Sequence, residues 1–200
     1  MDGLEALRRR YPWPEAMPEV PPDEHGWFSE CNARMLSRFL GPQTGLAVEL
    51  GSWLGASARH ILRAAPRAVL VCVDHWQGSR EHRLPGAAEA SRLPTLYETF
   101  LRNLWPWRDR VVPLRAGSLA GLAEVHAAGL QPELIYVDAS HEYDDVLADV
   151  SEALRLFPRA QLVGDDYSAP WPGVRKTVDD IAARCGLLLQ VEGHTWALIR

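Results

Sequence analysis

Three aspartates follow two short apolar segments of this chain, and their placement could serve metal chemistry. Asp138 follows residues 134–137, whereas Asp165 and Asp166 come shortly after residues 161–163. If the two segments are neighbouring parallel strands, which lie about 4.8 Å apart, the three carboxylates meet within reach of one cation. Neither segment contains Lys or Arg, so the carboxylates would repel one another and raise one another's pKa.

A hard divalent cation would relieve this repulsion, because all-oxygen ligands favour Mg²⁺, Mn²⁺ or Ca²⁺ over zinc. The alternative is that Asp138 caps a helix while Asp165 and Asp166 form a solvated turn. His141 comes soon after Asp138 and could act as a general base beside a metal. It could also be an ordinary hydrogen-bonded residue in the first turn of a helix.

A second chemical signal is the glycine turn after the first apolar segment, with Glu49, Gly51 and Gly55 at its centre. Glycine lets the backbone approach a ligand, and the first turn of a following helix offers free N–H groups. The spacing differs from the Gly-x-Gly-x-x-Gly fingerprint of dinucleotide sites. The acid at Glu49 suits a cationic or hydroxyl-bearing ligand. A strand–helix turn without any ligand is the alternative.

Two further strand ends carry polar residues of the same kind. Asp74 ends the second apolar segment, about twenty residues beyond Gly51, where an acid can accept hydrogen bonds from ribose hydroxyls. Ser118 follows the third segment and could cap the next helix. Helix capping explains each of these residues singly, but it explains the complete set of strand ends less well.

Positioning these residues requires alternating strands and helices, which indicates an α/β fold with a mostly parallel sheet. The apolar pattern predicts strands over residues 46–50, 68–73, 111–114, 134–137, 161–163, 187–191 and 195–199. It predicts helices over residues 57–65, 118–129, 142–157 and 174–185. The turn at Gly193 and His194 predicts a hairpin, so the last strand should run antiparallel to its neighbour.

Residues 1–44 differ in character from residues 45–200 and predict an N-terminal extension or lid within the same domain. Residues 11–22 are proline-rich and extended, and residues 29–40 have helical spacing. Residues 75–94 form a long polar loop, a kind of loop that is often functional or mobile. Several of the eight tryptophans fall in loop-like sequence, where they could line a pocket or a homo-oligomer contact.

Composition narrows the class of protein. The 200 residues predict one domain, and a net charge of −5 gives no electrostatic footprint for nucleic acid. No apolar segment is long enough to span a bilayer and no signal peptide is evident, which predicts a cytoplasmic protein without a membrane partner. Cys31, Cys72 and Cys185 predict reduced, buried thiols, and no Cys-x-x-Cys pair suggests zinc.

Taken together, these motifs resemble the class I S-adenosylmethionine-dependent methyltransferases. The residues that carry the resemblance are Glu49-x-Gly51-x-x-x-Gly55-x-Ser57, Asp74, Gly117-Ser118, Asp138-x-x-His141-x-Tyr143 and Asp165-Asp166. More narrowly, they are similar to metal-dependent O-methyltransferases that modify sugar hydroxyls of macrolide and aminocoumarin natural products. The resemblance covers about residues 45–200. It implies a Rossmann-like fold with a seven-stranded sheet and an antiparallel C-terminal strand.

The resemblance also implies roles for the residues. S-adenosylmethionine would be bound by Glu49, Gly51, Gly55, Ser57, Asp74, Ser118 and Asp138. Within that set, Glu49 would lie near the amino group of the cofactor, Asp74 at the ribose and Ser118 beside the adenine. Asp138, Asp165 and Asp166 would hold Mg²⁺, with His141 and Asp138 as the catalytic residues and His141 as the base. The acceptor would be a hydroxyl group of a small molecule.

Three other functions remain open at this point. The first is a metal-independent methyltransferase in which the acids serve only as caps and turns. The second is a non-enzymatic module that binds a cofactor or a partner through its Pro/Trp-rich N-terminus. The third is a nicotinamide-dependent oxidoreductase, which the missing third glycine disfavours.

Overall fold

Seven strands form one sheet in the computed structural model, which describes residues 3–200. The strands are β1 (Leu46–Leu50), β2 (Val69–Asp74), β3 (Val111–Arg115), β4 (Leu134–Val137), β5 (Gln161–Gly164), β6 (Leu188–Glu192) and β7 (Thr195–Ile199). Their order is β3-β2-β1-β4-β5-β7-β6. The first five strands are parallel, and β7 runs antiparallel to both β5 and β6. The predicted Rossmann-like α/β fold, with its antiparallel C-terminal strand, is confirmed.

Helices cover both faces of this sheet. They are α1 (Gly3–Arg10), α2 (Glu30–Phe39), α3 (Ala56–Ala64), α4 (Leu96–Leu104), α5 (Ser118–Ala127), α6 (Tyr143–Leu156) and α7 (Pro172–Cys185). One face packs against α1, α5, α6 and α7, and the other against α2, α3 and α4. Strand residues alternate between the two cores, as Ala47 and Val48 do. Burial on both faces explains why the parallel strands are continuous apolar segments in the sequence.

The N-terminal residues pack onto the sheet at both faces. Leu7 of α1 is buried in the first core, whereas Met35 and Leu36 of α2 are buried in the second. The α2 helix begins after Ser29. A lid role for residues 1–44 stays a prediction, and Met1 and Asp2 lie outside the described residues.

Several local expectations need correction. Ser118 does not cap α5, because the cap position is taken by Gly117 and Ser118 is the first helical residue. Cys185 is exposed at the end of α7, whereas Cys31 and Cys72 are buried as predicted, and all three thiols are free. The 75–94 segment is not a plain loop, since it contains a 3₁₀ turn at Glu81–Arg83 and the start of another at Ala90–Thr95.

Two of the tryptophans that were expected to line a pocket or a homo-oligomer contact make contacts within the chain. Trp76 is buried against Tyr97 and Phe100. Trp13 donates a hydrogen bond from Nε1 to the carbonyl of Val111 at 2.9 Å. A homo-oligomer stays a prediction. Within residues 3–200, no helix has the length and apolar character needed to cross a membrane.

Candidate functional site

The sheet lines up the candidate residues at the carboxyl ends of its strands. The Asp138 N–H donates to the carbonyl of Leu50 at 2.9 Å, and the Asp165 N–H donates to the carbonyl of Val137 at 3.1 Å. The Gly51 N–H donates to the carbonyl of Val73 in β2 at 2.9 Å. The hydrogen-bond ladder thus continues one residue past the strands, so Gly51, Asp138 and Asp165 stand side by side.

The three aspartates meet as the sequence predicts. Asp138, Asp165 and Asp166 each offer a carboxylate oxygen within 4.8 Å of the others. Together with His141 and Val174 they line a cavity of about 10 Å³, and that volume is about enough for one water molecule. Burial raises the pKa of Asp138 well above its usual range, and the charges of Asp165 and Asp166 raise it further. Asp165 is buried, and its pKa is also raised, first by burial and then by Asp166.

Two histidines contact two of these carboxylates. Nε2 of His141 lies 2.8 Å from Oδ2 of Asp166, and Nδ1 of His194 lies 2.5 Å from Oδ1 of Asp165. His194 has no predicted role, because it lies far along the chain in the β6–β7 turn. The pairing of β7 with β5 brings His194 to Asp165, and no local sequence motif predicts that pairing.

The surroundings of His141 orient its ring. Nδ1 lies 3.3 Å from Oε1 of Glu81, and the indole of Trp171 stacks on the imidazole with ring centroids 3.9 Å apart. Burial by itself would lower the pKa of His141, but Asp166 and Glu81 raise it above its ordinary value. The imidazole is therefore poised to hold a proton between two carboxylates. Glu81 comes from the 75–94 segment, and its sequence position gave no warrant for this contact.

The glycine turn is shaped by close approach of other segments. Gly51 has a φ of +83°, and a Cβ at this position would lie 1.9 Å from the Asp138 carbonyl oxygen. Gly55 has a φ of +81°, and its Cβ would lie 2.2 Å from a methyl group of Leu104. Both positions require glycine for the fold itself, so their predicted contact with a cofactor stays a prediction.

Asp74, the last residue of β2, stabilises this turn by accepting hydrogen bonds from backbone N–H groups. One carboxylate oxygen accepts the N–H groups of Ser52 and Trp53 at 3.0 and 2.9 Å, and the other accepts the Trp76 N–H at 2.6 Å. The side chain is mostly buried, with 14% of its surface exposed. The structure thus places Asp74 at the glycine turn, and its predicted contact with a ribose stays a prediction.

Glu49 is the most unusual group of the turn. It is fully buried, and neither carboxylate oxygen has a hydrogen-bond partner in residues 3–200. Burial raises the pKa of Glu49 to about 7, although the nearby hydroxyls of Ser52 and Ser57 offset part of the rise. An unpartnered buried carboxylate costs free energy, so this site favours a neutral acid or a hydrogen-bond donor from outside the chain.

The sequence from residue 48 to residue 167 matches a family model described as a methyltransferase domain. This match spans more than half of the 200 residues. The chain belongs to this methyltransferase family. The predicted class I S-adenosylmethionine-dependent methyltransferase, and with it the prediction of an enzyme, is confirmed. No curated protein matches the chain.

Solved structures of low sequence identity share the fold of this methyltransferase. The O-methyltransferase TomG from Streptomyces achromogenes is 20% identical with a TM-score of 0.61, over 100% of this chain and 90% of that one. An O-methyltransferase from Bacillus cereus is 18% identical with a TM-score of 0.60, over 99% and 89%. CalS11, a TDP-rhamnose 3'-O-methyltransferase, is 16% identical with a TM-score of 0.56, over 84% and 76%.

The methyltransferase stores backbone strain at the candidate site. Trp53, Trp76 and Asp166 are the non-glycine residues of the described chain with a positive φ, at +46°, +49° and +63°. They follow β1, β2 and β5. Such conformations cost free energy, and in proteins they cluster at active and ligand-binding sites. Their location agrees with a ligand site at the carboxyl ends of these strands.

Ser57 and Ser118 lie at the starts of two helices of the methyltransferase. Ser57 is buried beside Glu49. Ser118 contacts Asp149 of α6, a buried acid whose pKa is raised to about 7 by burial and lowered in part by that serine. Asp149 had no predicted role. The predicted contacts of both serines with the cofactor stay predictions.

Proposed function

We propose that this methyltransferase transfers the methyl group of S-adenosylmethionine to a hydroxyl group of a small molecule, with a bound divalent cation such as Mg²⁺. The observation that carries the proposal is the placement of Asp138, Asp165 and Asp166 beside the glycine turn and Glu49. The fold relatives add support: TomG was solved with S-adenosylmethionine, the Bacillus cereus enzyme with S-adenosylhomocysteine, and CalS11 is named for a sugar hydroxyl.

The residues around the glycine turn fit the cofactor. Glu49 lacks a donor, and the amino group of the methionine part would supply one. This donor would favour the ionised form of Glu49 and remove the cost of its burial. The turn at Gly51 and Gly55 would surround the methionine part, with Asp74 at the ribose and the serines at positions 57 and 118 nearby.

The donor set at the aspartates fits a hard cation. Three carboxylates close together suit Mg²⁺, Mn²⁺ or Ca²⁺, which prefer oxygen ligands. Burial, and then repulsion between the neighbouring carboxylates, raises the pKa of Asp138 and of Asp165, and a bound cation would relieve that repulsion. When bound, such a cation supplies a Lewis acid that lowers the pKa of the acceptor hydroxyl.

His141 would accept the proton of the acceptor hydroxyl. With Asp166 engaged by a cation, Nε2 is free to take a proton, while Nδ1 faces Glu81. The Glu81 carboxylate would stabilise the resulting imidazolium, and the stacked indole of Trp171 would hold the ring in place. The oxygen would then attack the sulfonium methyl group in line, so that the bond between the methyl carbon and sulfur would break and S-adenosylhomocysteine would leave. Most of the rate gain would come from this positioning.

The proposed cofactor can be tested by thermal unfolding. S-adenosylhomocysteine at about one hundred times its dissociation constant should stabilise the protein by about 2.7 kcal/mol. For a chain of this size, the melting temperature should rise by about 5–10 °C. NAD at the same concentration should give no shift. A shift with NAD alone would contradict the proposal.

A metal-independent methyltransferase is the second candidate, and one observation favours it. Asp165 and Asp166 each have a histidine at hydrogen-bonding distance, so protonated imidazoles could compensate their charge without a cation. Methyl transfer at full rate in EDTA would support this second function. Loss of transfer in EDTA, with restoration by Mg²⁺, would support the first.

A further inference from the structure

On the basis of the proposed metal-dependent function, we infer that His194 is a positioning residue for Asp165 and that Ser29, at the start of α2, holds His194 in place. His194 lies in the two-residue turn between β6 and β7, outside every motif of the family resemblance. Its imidazole bridges the candidate metal site and the N-terminal part of the chain.

The backbone of Asp165 is held on two sides. Its N–H donates to the carbonyl of Val137 at 3.1 Å, and its carbonyl accepts Nε1–H of Trp196 at 2.9 Å. Only the side-chain torsions of Asp165 remain to be set. Nδ1 of His194 lies 2.5 Å from Oδ1 of this carboxylate, and Asp165 is buried. The imidazole thus determines which way the carboxylate faces.

The other side of His194 is held by the N-terminal part of the chain. Nε2 lies 3.1 Å from the hydroxyl of Ser29. The Ser29 N–H donates to Oδ1 of Asn32 at 2.7 Å. Asn32 is fully buried and donates from Nδ2 to the hydroxyls of Tyr136 and Thr195, at 3.1 and 2.9 Å. Ser29 is therefore fixed through Asn32 to residues of β4 and β7.

The turn itself is also anchored. The carbonyl of His194 accepts the N–H of Tyr167 at 2.8 Å, just after the aspartate pair. Both the backbone and the ring of His194 thus contact the segment that carries Asp165 and Asp166. Carboxylates that bind metals are usually oriented by such outer hydrogen bonds, and losing one typically costs about 10–100-fold in metal affinity or activity.

The test is cation binding in the presence of S-adenosylhomocysteine, followed by Mn²⁺ electron paramagnetic resonance and by Mg²⁺ calorimetry. His194→Leu should lower the cation affinity by about 10–100-fold and leave the affinity for S-adenosylhomocysteine unchanged. His194→Asn places an amide N–H near the position of Nδ1, so it should restore most of the affinity. Ser29→Ala should give a smaller loss in the same direction.

A matched control separates positioning from hairpin stability. Glu192, in the same hairpin, pairs with Arg34 and Arg38 of α2 rather than with an aspartate of the candidate metal site. Glu192→Gln should therefore loosen the hairpin against α2 without changing cation affinity. In turnover, His194→Leu should recover rate as Mg²⁺ is raised, which a general loss of structure would not do.

The outcomes are distinct. If the wild-type protein binds no Mn²⁺, the proposed metal site fails and the role of His194 fails with it. If the wild-type protein binds Mn²⁺ and His194→Leu binds it equally, only the role of His194 is overturned. If His194→Leu does not fold, Ser29→Ala decides: a lowered cation affinity supports the inference, and a cation affinity equal to that of the wild-type protein contradicts it.

Discussion

At the carboxyl end of β2, Asp74 is held by backbone N–H groups of nearby segments, whereas the aspartates after β5 are held by histidines. Asp74 accepts three backbone N–H groups, and Gly51 is required by close packing. Asp165 and Asp166 instead contact His194 and His141. The first half is a rigid cradle, and the second is a set of titratable side chains.

This difference suggests that the two halves bind different ligands. Fixed backbone N–H groups suit a cofactor that neither gains nor loses a proton at the site. Paired carboxylates and imidazoles suit a cation and a proton transfer. Gly51 joins the halves, because it leaves no room between its own backbone and the carbonyl of Asp138. A substitution in one half is therefore expected to leave ligand binding at the other half intact.

The largest effect is expected at His141. His141→Ala should reduce turnover by roughly 10²–10⁴-fold if the imidazole is the general base. Binding of S-adenosylhomocysteine and of Mg²⁺ should be retained, as measured by calorimetry. His126→Ala, on α5 against Phe157, is the matched control and should keep full turnover. Turnover near the wild-type level in His141→Ala would exclude His141 as the base.

Asp74→Ala should damage the cofactor half alone. Two charged hydrogen bonds to ribose hydroxyls, at about 1.5–3 kcal/mol each, predict a loss of affinity for S-adenosylhomocysteine on the order of 10²–10⁴-fold. Calorimetry with a 2'-deoxy analogue completes a double-mutant cycle. If the losses from the variant and from the analogue add, Asp74 acts only through the Ser52 and Trp53 N–H groups and does not touch the ribose.

Glu49 should make the free protein less stable as pH rises. Because its folded pKa of about 7 lies above the ordinary value of 4.5, the folded state holds a proton that the unfolded state releases. This contribution is fully present below about pH 4.5 and is lost as pH rises to about 7, by roughly 3 kcal/mol. Glu49→Gln should lack this loss. Denaturant unfolding at several pH values measures the free energy of unfolding of both proteins. The same pH dependence in the wild-type protein and in Glu49→Gln would contradict this prediction.

The sequence identified the sheet because its parallel strands are buried on both faces and so are continuous apolar segments. It predicted that Asp138, Asp165 and Asp166 lie close together, because adjacent parallel strands end at one edge of the sheet. It missed His194, because contact with Asp165 depends on the β5–β7 pairing of distant segments. It missed α1, a short helix rich in arginine in which Leu7 is the buried residue.

A Mg²⁺ titration of the wild-type protein and of Asp166→Asn shows whether the three aspartates share one cation. Asn tolerates the positive φ of this position, so the variant should keep the backbone. The wild-type protein should gain thermal stability from millimolar Mg²⁺, lose that gain and its methyl transfer in EDTA, and respond more strongly than Asp166→Asn. Equal responses of the two proteins to Mg²⁺, or full activity in EDTA, would contradict the claim and leave the metal-independent methyltransferase.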